Sequence, residues 1–74
     1  MDVRETFAQN LKALRLAKGL SQEELAHRAN IDRTYISSLE RCIYGVSIDI
    51  LGRLAEALDV EPAELLQSPV AKFP

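Results

Sequence analysis

Two helix-start signals, at Ser21 and Asp32, stand so close that the helix between them has room for only about two turns. Ser21-Gln22-Glu23-Glu24 reads as a capping box, with the Ser hydroxyl on the N3 amide and Glu24 reaching back to the cap. Leu25, Ala26 and Ala29 give the short helix, about residues 22–29, an inward face. Asn30 tolerates the left-handed conformation that ends a helix, and Ile31 is expected to plug the tight turn. Asp32 then caps a third helix with Ile36 and Leu39 inward. Any fold for this chain must seat two short helices across one tight corner.

The flanking segments are helical as well. Phe7, Leu11 and Leu14 recur at i, i+4, i+7, which predicts a first helix over about 4–18 closed by Gly19 at C′. Ser47 caps a fourth helix over about 48–58, with Ile48, Leu51, Leu54, Ala55 and Leu58 expected inward. Gly52 inside it costs about 1 kcal/mol relative to Ala, and a close helix contact is the expected reason. Pro62 suits N1 of a short fifth helix over about 62–67, stopped at Ser68-Pro69. No strand alternation appears. The expected fold is all-α with five helices, a domain over 1–68 and a tail over 69–74.

Composition narrows the function. The chain has 74 residues, room for one small domain and not for a ligand-sensing second one. A single Cys and a single His leave no internal disulfide and no expected metal site. No nucleophile–base set or phosphate-cradling Gly loop is present, so neither an enzyme nor a cofactor is expected. No apolar run approaches a membrane span, and the start at Asp2, Arg4 and Glu5 lacks a signal-peptide core, so the expected location is cytoplasmic. Net charge is −2, which argues against a general polyanion binder. Along the chain, however, residues 1–46 carry 7 basic and 6 acidic side chains, and residues 47–74 carry 2 and 5. The acidity sits in the C-terminal helices.

Helix, three-residue turn and helix over 22–40 form the helix-turn-helix pattern, in which the second helix enters the DNA major groove. The residues go further. The stretch from Leu11 through Arg41, with Leu14-Arg15, Gly19-Leu20-Ser21-Gln22, Leu25-Ala26, Ile36 and Leu39-Glu40-Arg41, closely resembles the phage-repressor (Cro/CI-type, XRE) DNA-binding domains. The likeness runs through Ser47 to Leu66 and covers about residues 7–66. Asp32-Arg33-Thr34-Tyr35-Ile36-Ser37 looks most like the small controller proteins of restriction–modification systems.

That resemblance implies a lambda-repressor-like five-helix domain and a sequence-specific transcriptional regulator of double-stranded DNA. It implies that Gln22 bonds the DNA backbone and braces a recognition side chain. It implies a partly buried ion pair between Arg15 and Glu40, linking the first and third helices. Arg33, Thr34, Ser37 and Ser38 occupy outward positions on the third helix. Arg33 suits bidentate contact with guanine, and an unfavourable cation at a helix start hints at an external partner. Thr34 suits a thymine methyl or a phosphate. Tyr35 stacks on sugar-phosphate or fills the turn, and Arg41 reaches phosphate or is simply solvated. The pattern departs from the family at Cys42, where Gly is usual, and at Ile43, Tyr44 and Gly45, where basic residues and Asn are usual. Gly45 is expected to have taken over the positive-φ role.

One recognition helix covers few bases, so a homodimer on a pseudopalindrome is expected, with Val60, Leu65, Leu66, Val70 and Phe73 as candidate interface. The alternative is a protein-interaction module, such as an antitoxin subunit with an acidic binding surface. No small-molecule effector is expected.

Overall fold

The computed structural model describes residues 2–68, and every regular element in that span is an α-helix. The helices are α1 (Val3–Ala17), α2 (Gln22–Ala29), α3 (Arg33–Glu40), α4 (Ile48–Leu58) and α5 (Pro62–Leu66). Asp2, Ser21, Asp32 and Ser47 each cap a helix start by accepting from a backbone N–H inside the first turn. The capping box at Ser21 is complete: Glu24 N–H donates to Ser21 Oγ, and Ser21 N–H donates to Glu24 Oε1, both at 3.0 Å.

The first four helices also end alike. Each closes on a residue with φ near +60°: Gly19, Asn30, Cys42 and Asp59. The next residue, Leu20, Ile31, Ile43 or Val60, donates its N–H five residues back, to Arg15, Ala26, Ser38 or Ala55. This is the Schellman closure, which satisfies carbonyls the helix end would otherwise orphan. The position after the left-handed residue is apolar in all four. Leu20 is buried, Ile31 and Val60 pack partly against the core, and Ile43 is exposed.

α1 packs on α3 and α5, while α2 packs on α3 and α4, and α4 also meets α5. Leu11, Leu25, Ile36, Leu39, Leu54, Leu58 and Leu65 are fully buried at the centre. Burying each such side chain contributes about 1.5–3 kcal/mol, which is how short helices hold together here. Asn10, buried on α1, ties α5 down: its Nδ2 donates to Leu65 O at 3.0 Å and to Gln67 O at 2.7 Å. Among the described residues no helix is long and apolar enough to cross a membrane.

Three expectations fail. Ile48 is 82% exposed, because at the start of α4 no helix covers the stripe it belongs to. Gly52 answers no close contact: a Cβ there would meet nothing within 4 Å. Gly45 does not take the positive φ; Cys42 does, because the turn needs a left-handed residue immediately after the α3 cap, not three positions later.

Candidate nucleic-acid interface

Asp32 sets the start of α3, so Arg33, Thr34 and Tyr35 form its first turn. Ile36 and Leu39 bury one side of the helix, and this fixes which residues face out. Arg33 and Thr34 are exposed, with Ser37 and Ser38 half-buried one turn further along. Tyr35 is half-buried and packs against the core, so its ring helps to fill the turn. Arg41 is exposed at the C-cap, where a cation suits the helix dipole. Arg33 is the reverse case: it sits at a helix start, and among the described residues it forms no ion pair.

Behind this face lies a buried polar network. Arg15 Nε donates to Glu40 Oε2 at 2.6 Å, and Nη2 donates to Oε1 at 3.0 Å. Nη1 donates to Leu20 O at 2.8 Å. Gln22 Nε2 donates to Glu40 Oε1 at 3.1 Å. The Arg15 and Glu40 side chains are 9% and 4% exposed. The hydrogen bond to Glu40 raises the Arg15 guanidinium above its ordinary value, against an opposing burial effect. Glu40 thus gathers α1, the start of α2 and the end of α3 onto one carboxylate. Gln22 is braced by this scaffold carboxylate, at the start of α2, where an amide suits a phosphate oxygen.

The expected dimer residues separate. Leu65 is 0% exposed, and Val60 is half-buried against the core. Leu65 serves the monomer, because α5 is so short that its one inward side chain is needed to hold it down, and Val60 packs partly against the core where it closes α4. Leu66 stays 40% exposed. Val70 and Phe73 lie outside the described residues. Leu66 instead borders an apolar groove of about 350 Å³, with Val3, Phe7, Tyr44, Ile48 and Leu51. Val3, Tyr44 and Ile48 are all more than half exposed. This face joins the start of α1, the loop after α3 and the start of α4. The apolar loop that departs from the family pattern is therefore part of a larger apolar surface.

One contact was not anticipated. Asp32 Oδ1 accepts from Thr34 N at 2.8 Å and also from Thr34 Oγ1. The spacing of an Asp cap two residues before a Thr was the available signal.

The family model described as helix-turn-helix, HTH_3, matches residues 11–65. A Neisseria meningitidis protein named as a hypothetical transcription factor is 40% identical over 92% of this chain, which spans 64% of that relative's length. The control protein C.BamHI of Bacillus amyloliquefaciens is 41% identical, over 88% of this chain and 82% of its own. The crystal structure of the restriction–modification controller protein C.AhdI from Aeromonas hydrophila aligns with a TM-score of 0.82 and 48% identity. That alignment covers 84% of this chain and 94% of the controller.

Proposed function

We propose that this chain, which belongs to the helix-turn-helix family HTH_3 of DNA-binding transcriptional regulators, acts as a homodimer on a pseudopalindromic operator. The observation that carries the reading is Arg33: an exposed cation, in no ion pair among the described residues, at the first turn of a helix whose opposite side is buried. In the major groove its fork matches the O6 and N7 acceptors of guanine. Thr34, Ser37 and Ser38 read or border neighbouring positions, and Gln22 and Arg41 contact phosphates at either end. Tyr35 adds backbone contact through its exposed edge.

The dimer surface is the apolar groove around Val3, Tyr44, Ile48 and Leu66. Tyr44 lies in the loop that follows α3, so a pair formed on this face carries two copies of α3 related by the two-fold axis. The matching operator has half-sites about 34 Å, or a multiple of that, apart.

A salt-titrated binding assay on DNA upstream of the protein's own coding region tests this. Arg33→Ala is expected to cost about 1–3 kcal/mol and to relax one base position in each half-site. A loss uniform across sequences would make Arg33 a phosphate contact, and no specific complex with any fragment would overturn the operator reading.

A further inference from the structure

Thr34 is an exposed residue on the candidate reading face, yet its hydroxyl is already engaged. Asp32 Oδ1 accepts from both the backbone N–H and the Oγ1 of Thr34. An ionised carboxylate offers lone pairs and no proton, so in this contact the hydroxyl must donate. The same two hydrogen bonds, the hydroxyl's first, hold the Asp32 carboxyl below its ordinary value, so it is ionised at neutral pH. Bonds to a charged acceptor are the stronger kind, and this one is closed within a single helix turn before any partner arrives. What Thr34 has left to offer is the remaining lone-pair capacity of Oγ1 and a methyl group.

We infer that Asp32 is a positioning residue for base recognition: it holds the Thr34 hydroxyl proton and thereby makes Thr34 an acceptor for an exocyclic amine, adenine N6 or cytosine N4. This rests on the DNA-binding reading given above. Thr34 in this state does not serve a phosphate or a guanine O6, which are themselves acceptors. Arg33 beside it can only donate. The first turn of α3 therefore presents a donor fork and an acceptor side by side. Every base pair shows the major groove both an amine and a keto oxygen, so base preference alone does not reveal which of the two Thr34 meets.

The test starts from a duplex selected by the wild-type chain from random sequences. Thr34→Val keeps the methyl and removes the hydroxyl, so the base pair at which it loses discrimination marks the contact. At that pair, the amino base is replaced by an analogue without the amine: purine for adenine, or 2-pyrimidinone for cytosine. The wild-type chain is expected to bind about fivefold more weakly, the size of one ordinary hydrogen bond, and Thr34→Val is expected to be unaffected. Removing the keto oxygen, with 2-aminopurine for guanine or 5-methyl-2-pyrimidinone for thymine, is expected to leave both unchanged.

Asp32→Gly keeps a tolerated N-cap but frees the hydroxyl, and it should erase the difference between amine and keto removal. Asp32→Asn still offers an acceptor and should preserve it. Weakening on keto removal, or a Thr34→Val chain with wild-type base preferences, overturns the inference while leaving DNA binding intact. A wild-type chain that selects no sequence overturns the DNA reading itself, and this inference with it.

Discussion

Arg15 and Glu40 stand 25 positions apart in the chain and meet as a two-pronged ion pair, Nε to Oε2 and Nη2 to Oε1. Neither side chain is more than 9% exposed. The third prong of the guanidinium, Nη1, donates to the carbonyl of Leu20, the residue after the left-handed Gly19 that ends α1. A fork with its donors so placed satisfies most of the hydration it gave up on burial, and it fixes the angle between the first and third helices.

Removing one partner leaves the other charge buried and unpaired. Arg15→Leu or Glu40→Leu alone should therefore cost about 3–5 kcal/mol in denaturant unfolding. The double variant should cost less than either single one, since replacing both partners with apolar side chains leaves no charge stranded. Additive losses in that cycle would show that the two side chains do not depend on each other.

Glycine stands at one position that does not need it and is missing from one that does. Gly52 is an exposed interior residue of α4 with open space beyond its Cα, so Gly52→Ala should stabilise the fold by about 1 kcal/mol. Cys42 has φ +60°, a conformation costly for a residue with a Cβ and no short polar group to compensate. Cys42→Gly should gain about 1 kcal/mol, whereas Cys42→Val should lose stability. Thermal melts of the three variants decide it, and a destabilised Cys42→Gly would mean that the thiol's packing outweighs its backbone strain.

Acid should weaken the fold through two caps. The Ser21 N–H and then the Ser21 hydroxyl hold Glu24 below its ordinary value of 4.5, and the Thr34 hydroxyl and N–H hold Asp32 below 3.8. The unfolded chain therefore takes up these protons first as pH falls. The stability the carboxylates contribute is whole above the unfolded values and disappears as pH drops through the lower folded ones. The melting temperature should fall between about pH 5 and pH 3. A Glu24→Gln, Asp32→Asn variant, which keeps acceptors but does not titrate, should fall less steeply. An equal fall in both would assign the acid sensitivity elsewhere.

Local signals made most of this fold legible. The caps at Ser21, Asp32 and Ser47 and the left-handed ends at Gly19 and Asn30 are each written within a few residues, and backbone hydrogen bonding enforces them. The outward face of α3 was readable because Ile36 and Leu39 leave it no choice. The failures depend on what lies opposite a residue in space. Ile48 and Leu65 both belong to apolar stripes, but only Leu65 has helices facing it. Cys42 took the left-handed position because hydrogen-bond closure fixes that site by count from the helix end, whatever residue stands there. The Asp32–Thr34 contact is hard to read in the sequence because a cap residue satisfies the backbone first, and a second bond to a side chain leaves no trace in hydrophobic periodicity.

The proposed dimer surface leaves out Leu65 and takes in Ile48. Leu65 is fully buried, so Leu65→Ala should destabilise the monomer by about 2–5 kcal/mol. Ile48 makes almost no intramolecular contact at 82% exposure, so Ile48→Glu should leave the melting temperature nearly unchanged. That comparison holds at concentrations where both chains are monomeric, because association itself raises the melting temperature. In a self-associated pair the same substitution puts a carboxylate from each copy into an apolar interface with no partner. Dimerisation should weaken at least about tenfold, read by sedimentation velocity across a concentration series. Affinity for a two-half-site duplex should fall with it, while affinity for a single half-site should not. An Ile48→Glu chain that still sediments as a dimer would place the two-fold axis on another face. A wild-type chain that stays monomeric at high micromolar concentration and binds a half-site as tightly as a full site would remove the homodimer altogether.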